Sequence, residues 1–513
     1  MQKIILFNAT ATEKRAAILE DRKLVEIVIE RPDRYRILGN IYRGRVSSIL
    51  PGIQSAFIDV GLEKAAFLHA SDVNPSLLLD PDDENIERYT DRSQRSKRRQ
   101  VARVPIEQVL EKGQDILVQV IREPIGNKSP KVTTQISLAG RFLVLVPDAN
   151  FIGVSKKSSD YKMRKNLIKV VSQYKPAGVG FIVRTIGLKV SENEMISEMK
   201  ALVDSWRNAQ KEALRGAGPK LIFKERSIST QVMRDLFTED VSEVYVDDKE
   251  DFDDITDYLK RVSPDLCRRV KSYSGEEPLF DKFQIEKELE RSLKRKVWMK
   301  NGGYLCFDQT EALLAIDVNT GRNVGKKDLE DTIFQTNLAS VHEICRQLRL
   351  RDLGGLIVVD FIDMYNHQHR KRIEHEMRVA LAKDSSATAC TGLSKFCLME
   401  ITRKRVRPGL QEVFTDVCPS CSGLGRIFSP ATVTARIDRW FRRAESSDLL
   451  KNLILTVAPS IATYLQKENG RILHEMEKGH GFSIELVVDE ELDQDEFEIF
   501  KHGETDPITE KYS

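Results

Sequence analysis

The chain is poor in the features that would tie it to a membrane, to secretion or to bulk charge. Its longest apolar stretches, such as Ala312 to Ile316 and Leu356 to Val359, fall far short of the roughly 18 residues a membrane span needs, so no span is expected. The N-terminus, MQKIILFNATATEKR, lacks a charged n-region, apolar h-region and small-residue cleavage site in succession, so no export signal is expected either. Seven cysteines over 513 residues are an odd number and too sparse for a disulfide framework. These absences point to the cytosol. Net charge is missing too: 80 Lys and Arg stand against 78 Asp and Glu, a sum of +2, although charged residues make up 31% of the chain. The balance excludes a histone-like protein held to nucleic acid by bulk charge, and an acidic disordered solubiliser. It leaves open recognition of nucleic acid by local clusters.

What is present is enough chain for three to four domains at roughly 150 residues each, with no repeat of fixed period and no long linker. The sharpest compositional break lies at 80–103, where Asp80, Asp82, Asp83, Glu84, Glu87 and Asp91 run into Arg92, Arg95, Lys97, Arg98, Arg99 and Arg103. It reads as a solvated loop, with an RNA-contacting loop as the alternative. The residues from Asp489 onward are rich in acid and read as a frayed tail that would repel a polyanion. Between Gly39 and Asp72, short alternating strands are punctuated by glycine, and ILVQVI at Ile116 to Ile121 adds another. About five such strands suit a Greek-key barrel of the OB type. Helical and strand patterns alternate between about 150 and 290, so the rest of the chain is expected to be α/β. Beyond about 428, a strand at Leu453 to Val457, a helix from about 459 and a strand at Phe482 to Val488 predict a small α/β domain suited to oligomer contacts.

The strongest chemical signal is a pair of acids. Leu313 to Asp317 is an apolar strand ending in an acid, followed by Val318 and Asn319. From Leu329 to Leu348 apolar residues recur at helical spacing, and the helix is expected to stop at Asp352-Leu353-Gly354-Gly355 with a glycine C-cap. A second apolar strand, Leu356 to Val359, also ends in an acid, Asp360. A strand–helix–strand crossover makes the strands parallel, and if adjacent they bring Asp317 and Asp360 to one carboxyl edge, where α/β sheets place ligands. Two repelling carboxylates there call for a cation or shared protons. Oxygen donors beside an amide suit Mg²⁺ or Mn²⁺, which can activate water and stabilise a phosphodiester in its transition state. The plain alternative is that each Asp caps the turn that follows it.

A second signal is Cys418-Pro419-Ser420-Cys421-Ser422-Gly423-Leu424-Gly425, a zinc-knuckle pattern supplying half of a tetrahedral site. A zinc shared between two subunits, a redox pair and chance all remain open. Cys267, Cys306, Cys345, Cys390 and Cys397 are isolated and read as structural thiols.

Taken together, GNIYRGRV, AFIDVG, AAFLHASD, SLAGRFLVL, GFIVRTIG, YSGEEPLF, the run TEALLAIDVN…NLASVHEICRQLRLRDLGGLIVVDFIDM, MEITRKRVRP and CPSCSGLG resemble the ribonuclease E/G family over roughly residues 1–427. The resemblance implies a multidomain α/β fold with an inserted barrel. An RNase H-like scaffold would be formed by 1–36 and 230–292, and an S1 RNA-binding barrel by 37–134. A 5′-end sensor would cover 135–229, a DNase I-like catalytic subdomain 293–412, a zinc link 413–427 and the small C-terminal domain 428–513. It implies a Mg²⁺-dependent endoribonuclease cutting single-stranded, AU-rich RNA with a preference for 5′-monophosphate ends, leaving 5′-phosphate products, in rRNA processing and mRNA decay. It also implies a homodimer or homotetramer joined by shared Zn²⁺. The chain ends at Ser513 without the family's long degradosome scaffold tail, so the short, ribonuclease G-like form is expected.

Residue by residue, Asp317 and Asp360 match the family's metal-binding carboxylates and Asn319 its active-site amide, while Cys418 and Cys421 match the zinc ligands. Phe57, Phe67 and Lys128 match RNA-contacting positions, where rings stack on bases and lysine neutralises phosphate. Gly140, Val144, Arg184 and Thr185 match the 5′-monophosphate pocket. The basic groups Lys128, Arg184 and Arg403 to Arg407 are expected to face RNA. The reading from another class is a non-catalytic S1-type RNA-binding or ribosome assembly factor, which would have no need of the paired acids.

Overall fold

A computed structural model describes residues 2–31, 37–73, 105–124, 129–154, 161–238, 240–322, 329–405, 407–445, 452–481 and 483–512. The chain divides into two compact units, one reaching to Val413 and the other beginning at Phe414. Among the described residues no helix is long and apolar enough to cross a membrane. The 80–103 segment and Lys128 lie outside the described residues.

The first unit is built on four sheets. In the first, Lys3–Ala9 pairs in parallel with Val241–Val246 and antiparallel with Lys14–Glu20, so the chain leaves this sheet after Lys23–Glu30 and returns more than 200 residues later. Helices Ile228–Leu236 and Lys249–Val262 bury Val232, Met233, Ile255 and Leu259 against Ile5, Phe7 and Val244. Inserted in this excursion is a closed five-stranded barrel: Ile41–Leu50, Ser55–Asp59, Ala66–His69, Lys131–Thr133 and Asp115–Arg122, the last pairing back on the first. Alternation sends Val46, Ala56, Ile58, Ala66, Leu68, Val118 and Val132 inward. Gly44 permits the closure, because a Cβ there would lie 2.5 Å from Ile58 Cγ2. The third sheet, Ile152–Val154, Val179–Val183, Leu143–Pro147 and Leu138–Ala139, packs on helix Glu192–Ala213, whose start is fixed by a Ser191/Glu194 capping box.

The fourth sheet runs Lys296–Trp298, Tyr304–Gln309, Leu313–Asn319, Gly355–Asp360, Leu398–Arg403 and Thr388–Cys390. Leu314, Ile316, Val318, Ile357 and Val359 point to one face, into the core formed with helices Leu329–Leu350 and His367–Leu381. The crossover expected from the sequence is present, although the cap is not as expected. The first residue with positive φ after the helix is Asp352 at +49°, not a glycine; Gly354 serves close approach, since a Cβ there would lie 3.1 Å from Arg403 O, and Gly355 takes a positive φ of +102° at the start of the next strand. Asp352 can hold this strained conformation because Arg403 and Arg407 grip its carboxylate at 2.8 and 2.7 Å. That same grip corrects the expectation for the basic run. Arg403 is buried and also binds Asp384 at 2.9 Å, Arg407 reaches Glu26 at 3.2 Å, and Arg405 donates to Gly354 O at 2.9 Å. These guanidinia hold the fold rather than facing RNA: acids claim Arg403 and Arg407, and a backbone carbonyl takes Arg405.

The second unit has a three-stranded sheet, Ser483–Val488, Asn452–Val457 and Phe497–Lys501, with helices Pro430–Ala444, Pro459–Leu465 and Lys467–His480. The acidic end of the chain is therefore not a frayed tail. Phe497–Lys501 pairs antiparallel with Asn452–Val457, Ile499 is buried, and Trp440 Nε1 donates to Thr509 O at 2.7 Å. Apolar residues spaced among the acids outweigh their charge.

Within this unit His480 bonds Asp438 at 2.8 Å through Nε2 and Glu445 through Nδ1. Burial pushes the imidazole pKa down, but the two carboxylates outweigh it and the net value lies above the usual 6.5. This contribution to stability is complete below about pH 6.5 and is lost as pH rises through the raised value. Hydrogen-exchange protection of Pro430–Ala444 and Lys467–His480 is therefore expected to fall as pH rises above about 6.5, and His480→Gln to flatten that dependence.

Candidate active site

Parallel pairing sets Asp317 directly opposite Asp360, with their strands ~4.8 Å apart. Paired residues share a face, so both carboxylates project from the side of the fourth sheet that the two helices do not cover, and both are exposed. Asn319 lies on the same face two residues on, and its side-chain amide donates to Asp317. Partial burial and the adjacent Asp317 and Asp363 charges push the Asp360 carboxyl above the usual carboxylate range.

The backbone beyond Asp360 is clamped from the helix by a residue that sequence reasoning passed over. Asn337 is fully buried; its Nδ2 donates to Ile362 O at 2.8 Å and its Oδ1 accepts from Ile362 N at 3.2 Å. An asparagine among the apolar positions of an amphipathic helix was the available signal. Glu330 accepts from the amides of Tyr365 and Asn366 at 3.4 and 3.1 Å and holds the far end of the same loop. Among the described residues no cluster of three or more His, Cys, Asp or Glu is arranged to hold a metal ion. The two-acid edge still fits a hard cation that keeps most of its water, because its donors are oxygens whose mutual repulsion a cation would relieve.

The residues matched to a 5′-phosphate pocket come together on the third sheet. Val144 pairs with Ala139 and Ile182, and Arg184 follows Val179–Val183. Arg184 donates to Gly140 O at 2.7 Å and to Asp235 at 2.8 Å, and Thr185 next to it is exposed. Two acids missed in the sequence shape this place. Asp235, also held by Arg234 at 2.9 Å, is pushed up by burial, but the guanidinia of Arg234 and Arg184 keep it below the usual carboxylate range. Glu198 is buried and accepts from the amides of Arg141, Phe142 and Leu143 at 2.5, 2.7 and 2.9 Å, with burial holding its carboxyl above the usual range. Gly140 is required beside it, since a Cβ would lie 2.6 Å from the Glu198 carboxylate carbon.

On the barrel, Phe57 and Phe67 pair across neighbouring strands with ring centroids 6.0 Å apart, and both are half-buried while their neighbours Ala56, Ile58, Ala66 and Leu68 fill the interior. They lie on the outer surface, where bases can reach them. In the second unit Cys418 is exposed and Cys421 partly so. Gly425 N points at Cys421 Sγ from 3.3 Å, and this amide, with Gly423 and Cys418, holds the Cys421 thiol below its usual value. Gly423 and Gly425 have φ of +87° and +70°. Amides wrapped around a thiolate fit a half-site for zinc.

The repulsion at the sheet edge has a measurable consequence. Asp360→Asn is expected to raise the unfolding midpoint of the metal-free protein by relieving that repulsion, and to reduce the further rise that Mg²⁺ gives the unsubstituted chain; calorimetry with and without Mg²⁺ checks both.

Comparison with known proteins places this geometry in context. The model of the "Ribonuclease E/G family" matches residues 137–406, and that of the "RNase E/G, Thioredoxin-like domain" matches 417–502, so the resemblance continues well beyond the 427 expected from the sequence. The chain is 37% identical to Ribonuclease G of Escherichia coli (strain K12) over 495 residues, covering 96% of this chain and 99% of that protein. It is 35% identical to Ribonuclease G of Haemophilus influenzae, covering 96% and 98%. With Ribonuclease E of the same organism the identity is 33%, over 99% of this chain but 53% of that protein. The chain belongs to the ribonuclease E/G family, in the short form that ribonuclease G represents.

Proposed function

We propose that this endoribonuclease is Mg²⁺-dependent and cuts single-stranded, AU-rich RNA, favouring 5′-monophosphate ends and leaving 5′-phosphate products, in rRNA processing and mRNA decay in the cytosol. One observation carries the reading: Asp317 and Asp360 stand opposite each other on an open sheet face, beside Asn319. A pure RNA binder gains nothing from two repelling carboxylates where a phosphate would lie. Asp317 and Asp360 would hold the ion, which when bound supplies a Lewis acid for the phosphodiester. Asn319 keeps Asp317 oriented, and Asn337 keeps the loop after Asp360 from drifting.

The finer assignments fit the same scheme. Residues 1–36 and 230–292 would form an RNase H-like scaffold, 37–134 an S1 barrel, 135–229 the 5′ sensor, 293–412 a DNase I-like subdomain, 413–427 the zinc link and 428–513 the C-terminal domain. Phe57 and Phe67 would stack on bases, and Lys128 would neutralise phosphate. Arg184 and Thr185, with Gly140 and Val144, would receive a terminal phosphate, Arg184 being aimed by Asp235. Cys418 and Cys421 would share Zn²⁺ with a second copy, giving a homodimer or homotetramer.

Asp317→Asn with Asp360→Asn is expected to lower cleavage of a 5′-monophosphorylated AU-rich oligonucleotide by at least about 100-fold while leaving RNA binding within about threefold. Full retention of cleavage would sink the reading in favour of a non-catalytic binder or a different catalytic site. Arg184→Gln is expected to erase the advantage of a 5′-monophosphate over a 5′-hydroxyl substrate, and Asp235→Asn to reduce it, each measured as kcat/KM on matched oligonucleotides.

A further inference from the structure

The open face that carries the two carboxylates does not end at Asn319. Tyr304 stands opposite Asn319 on the next strand, and Trp298 stands opposite Tyr304 on the one after. All three therefore share a face with Asp317 and Asp360, with Trp298 two strands, or ~10 Å, from the Asn319 backbone. The Trp298 and Tyr304 ring centroids are 5.1 Å apart. Lys296 Nζ lies 3.4 Å from the Tyr304 centroid and 4.5 Å from that of Trp298, and the Arg322 guanidinium lies 5.6 Å from the Trp298 ring.

Exposure sets Trp298 apart. It is 52% exposed, whereas the other two tryptophans, Trp206 and Trp440, are 6% and 2% exposed. Its placement is also fixed. Gly321, at φ +58°, would with a Cβ lie 2.5 Å from Gly302 O, 3.0 Å from Tyr304 Cδ1 and 3.4 Å from Trp298 Cζ3. Only glycine lets the turn after Asn319 lie against both rings, and Arg322 N closes it on Gly302 O at 2.9 Å. The strand bearing Asp317 and the hairpin bearing the aromatics are thus fastened together.

We infer that Trp298, backed by Tyr304, Lys296 and Arg322, is a stacking platform for an unpaired nucleobase beside the scissile phosphate. The inference rests on the proposed function, because it takes RNA to be the polymer at the Asp317/Asp360 edge. An exposed indole offers a π face to any base, and adjacent cations suit the flanking phosphates. Bases in a duplex are already stacked on one another and cannot offer that face. The platform therefore selects single strands at the cut itself, apart from any selection by the barrel.

The test uses a 5′-monophosphorylated AU-rich oligoribonucleotide with Mg²⁺. Trp298→Ala is expected to raise KM at least about fivefold with little change in kcat and to redistribute the cut sites, and Trp298→Phe to restore both. In the cleavage-impaired Asp360→Asn chain, titration with the same RNA is expected to quench the exposed indole. Unchanged KM and cut sites in Trp298→Ala would overturn the inference. Unquenched emission at RNA concentrations that saturate anisotropy would do the same. So would emission that changes on dilution without RNA, which assigns the ring to a subunit contact. If the unsubstituted protein fails to cleave while RNA still quenches Trp298, the function falls and the platform stands.

Discussion

The structure turns on one unfavourable contact, the side-by-side placement of Asp317 and Asp360. Parallel strands with a helical crossover put equivalent positions in register, so the chemistry of the edge follows from where each apolar run ends. Leu314, Ile316, Ile357 and Val359 bind the sheet to its helices on one face and thereby force the alternate residues, both acids among them, onto the other. Core packing holds the two charges together against their repulsion. A site that destabilises its own ion-free form is one that a cation and a phosphate can complete.

The same chain uses other carboxylates for the opposite purpose. Glu198 collects three consecutive backbone amides and Asp384 takes the buried Arg403. Asp352 ties Arg403 and Arg407 behind the sheet. Each of these acids faces amides or cations, whereas the paired acids at the edge face each other. The near-zero net charge therefore records neutralisation inside the fold rather than indifference to RNA. Among the described residues no acid pairs with Lys296 or Arg322, and both lie around Trp298.

Much of this was legible in the sequence, and the reason is local. The crossover could be read because strand, amphipathic helix and strand follow one another within about 50 residues, so periodicity alone set the topology. The barrel was legible from glycine spacing and alternation. What escaped depended on distant partners. Arg403 to Arg407 looked like an RNA surface until Asp384, Asp352 and Glu26 were seen to hold Arg403 and Arg407. The acidic terminus looked frayed because the strand it completes, Asn452–Val457, lies some 40 residues earlier. Trp298 carried no signal in sequence, since a tryptophan on a strand is ordinarily core and only the register shows which face it takes.

The most direct test of the central claim is a crystal structure of the Asp317/Asp360 edge with Mn²⁺ and a single-stranded oligonucleotide that resists cleavage, read by anomalous scattering. A Mn²⁺ peak is expected between the two carboxylates, with a phosphate oxygen of the RNA against it. Ordered RNA on this face with no metal at the two acids, or the metal and the strand both bound elsewhere, would contradict it.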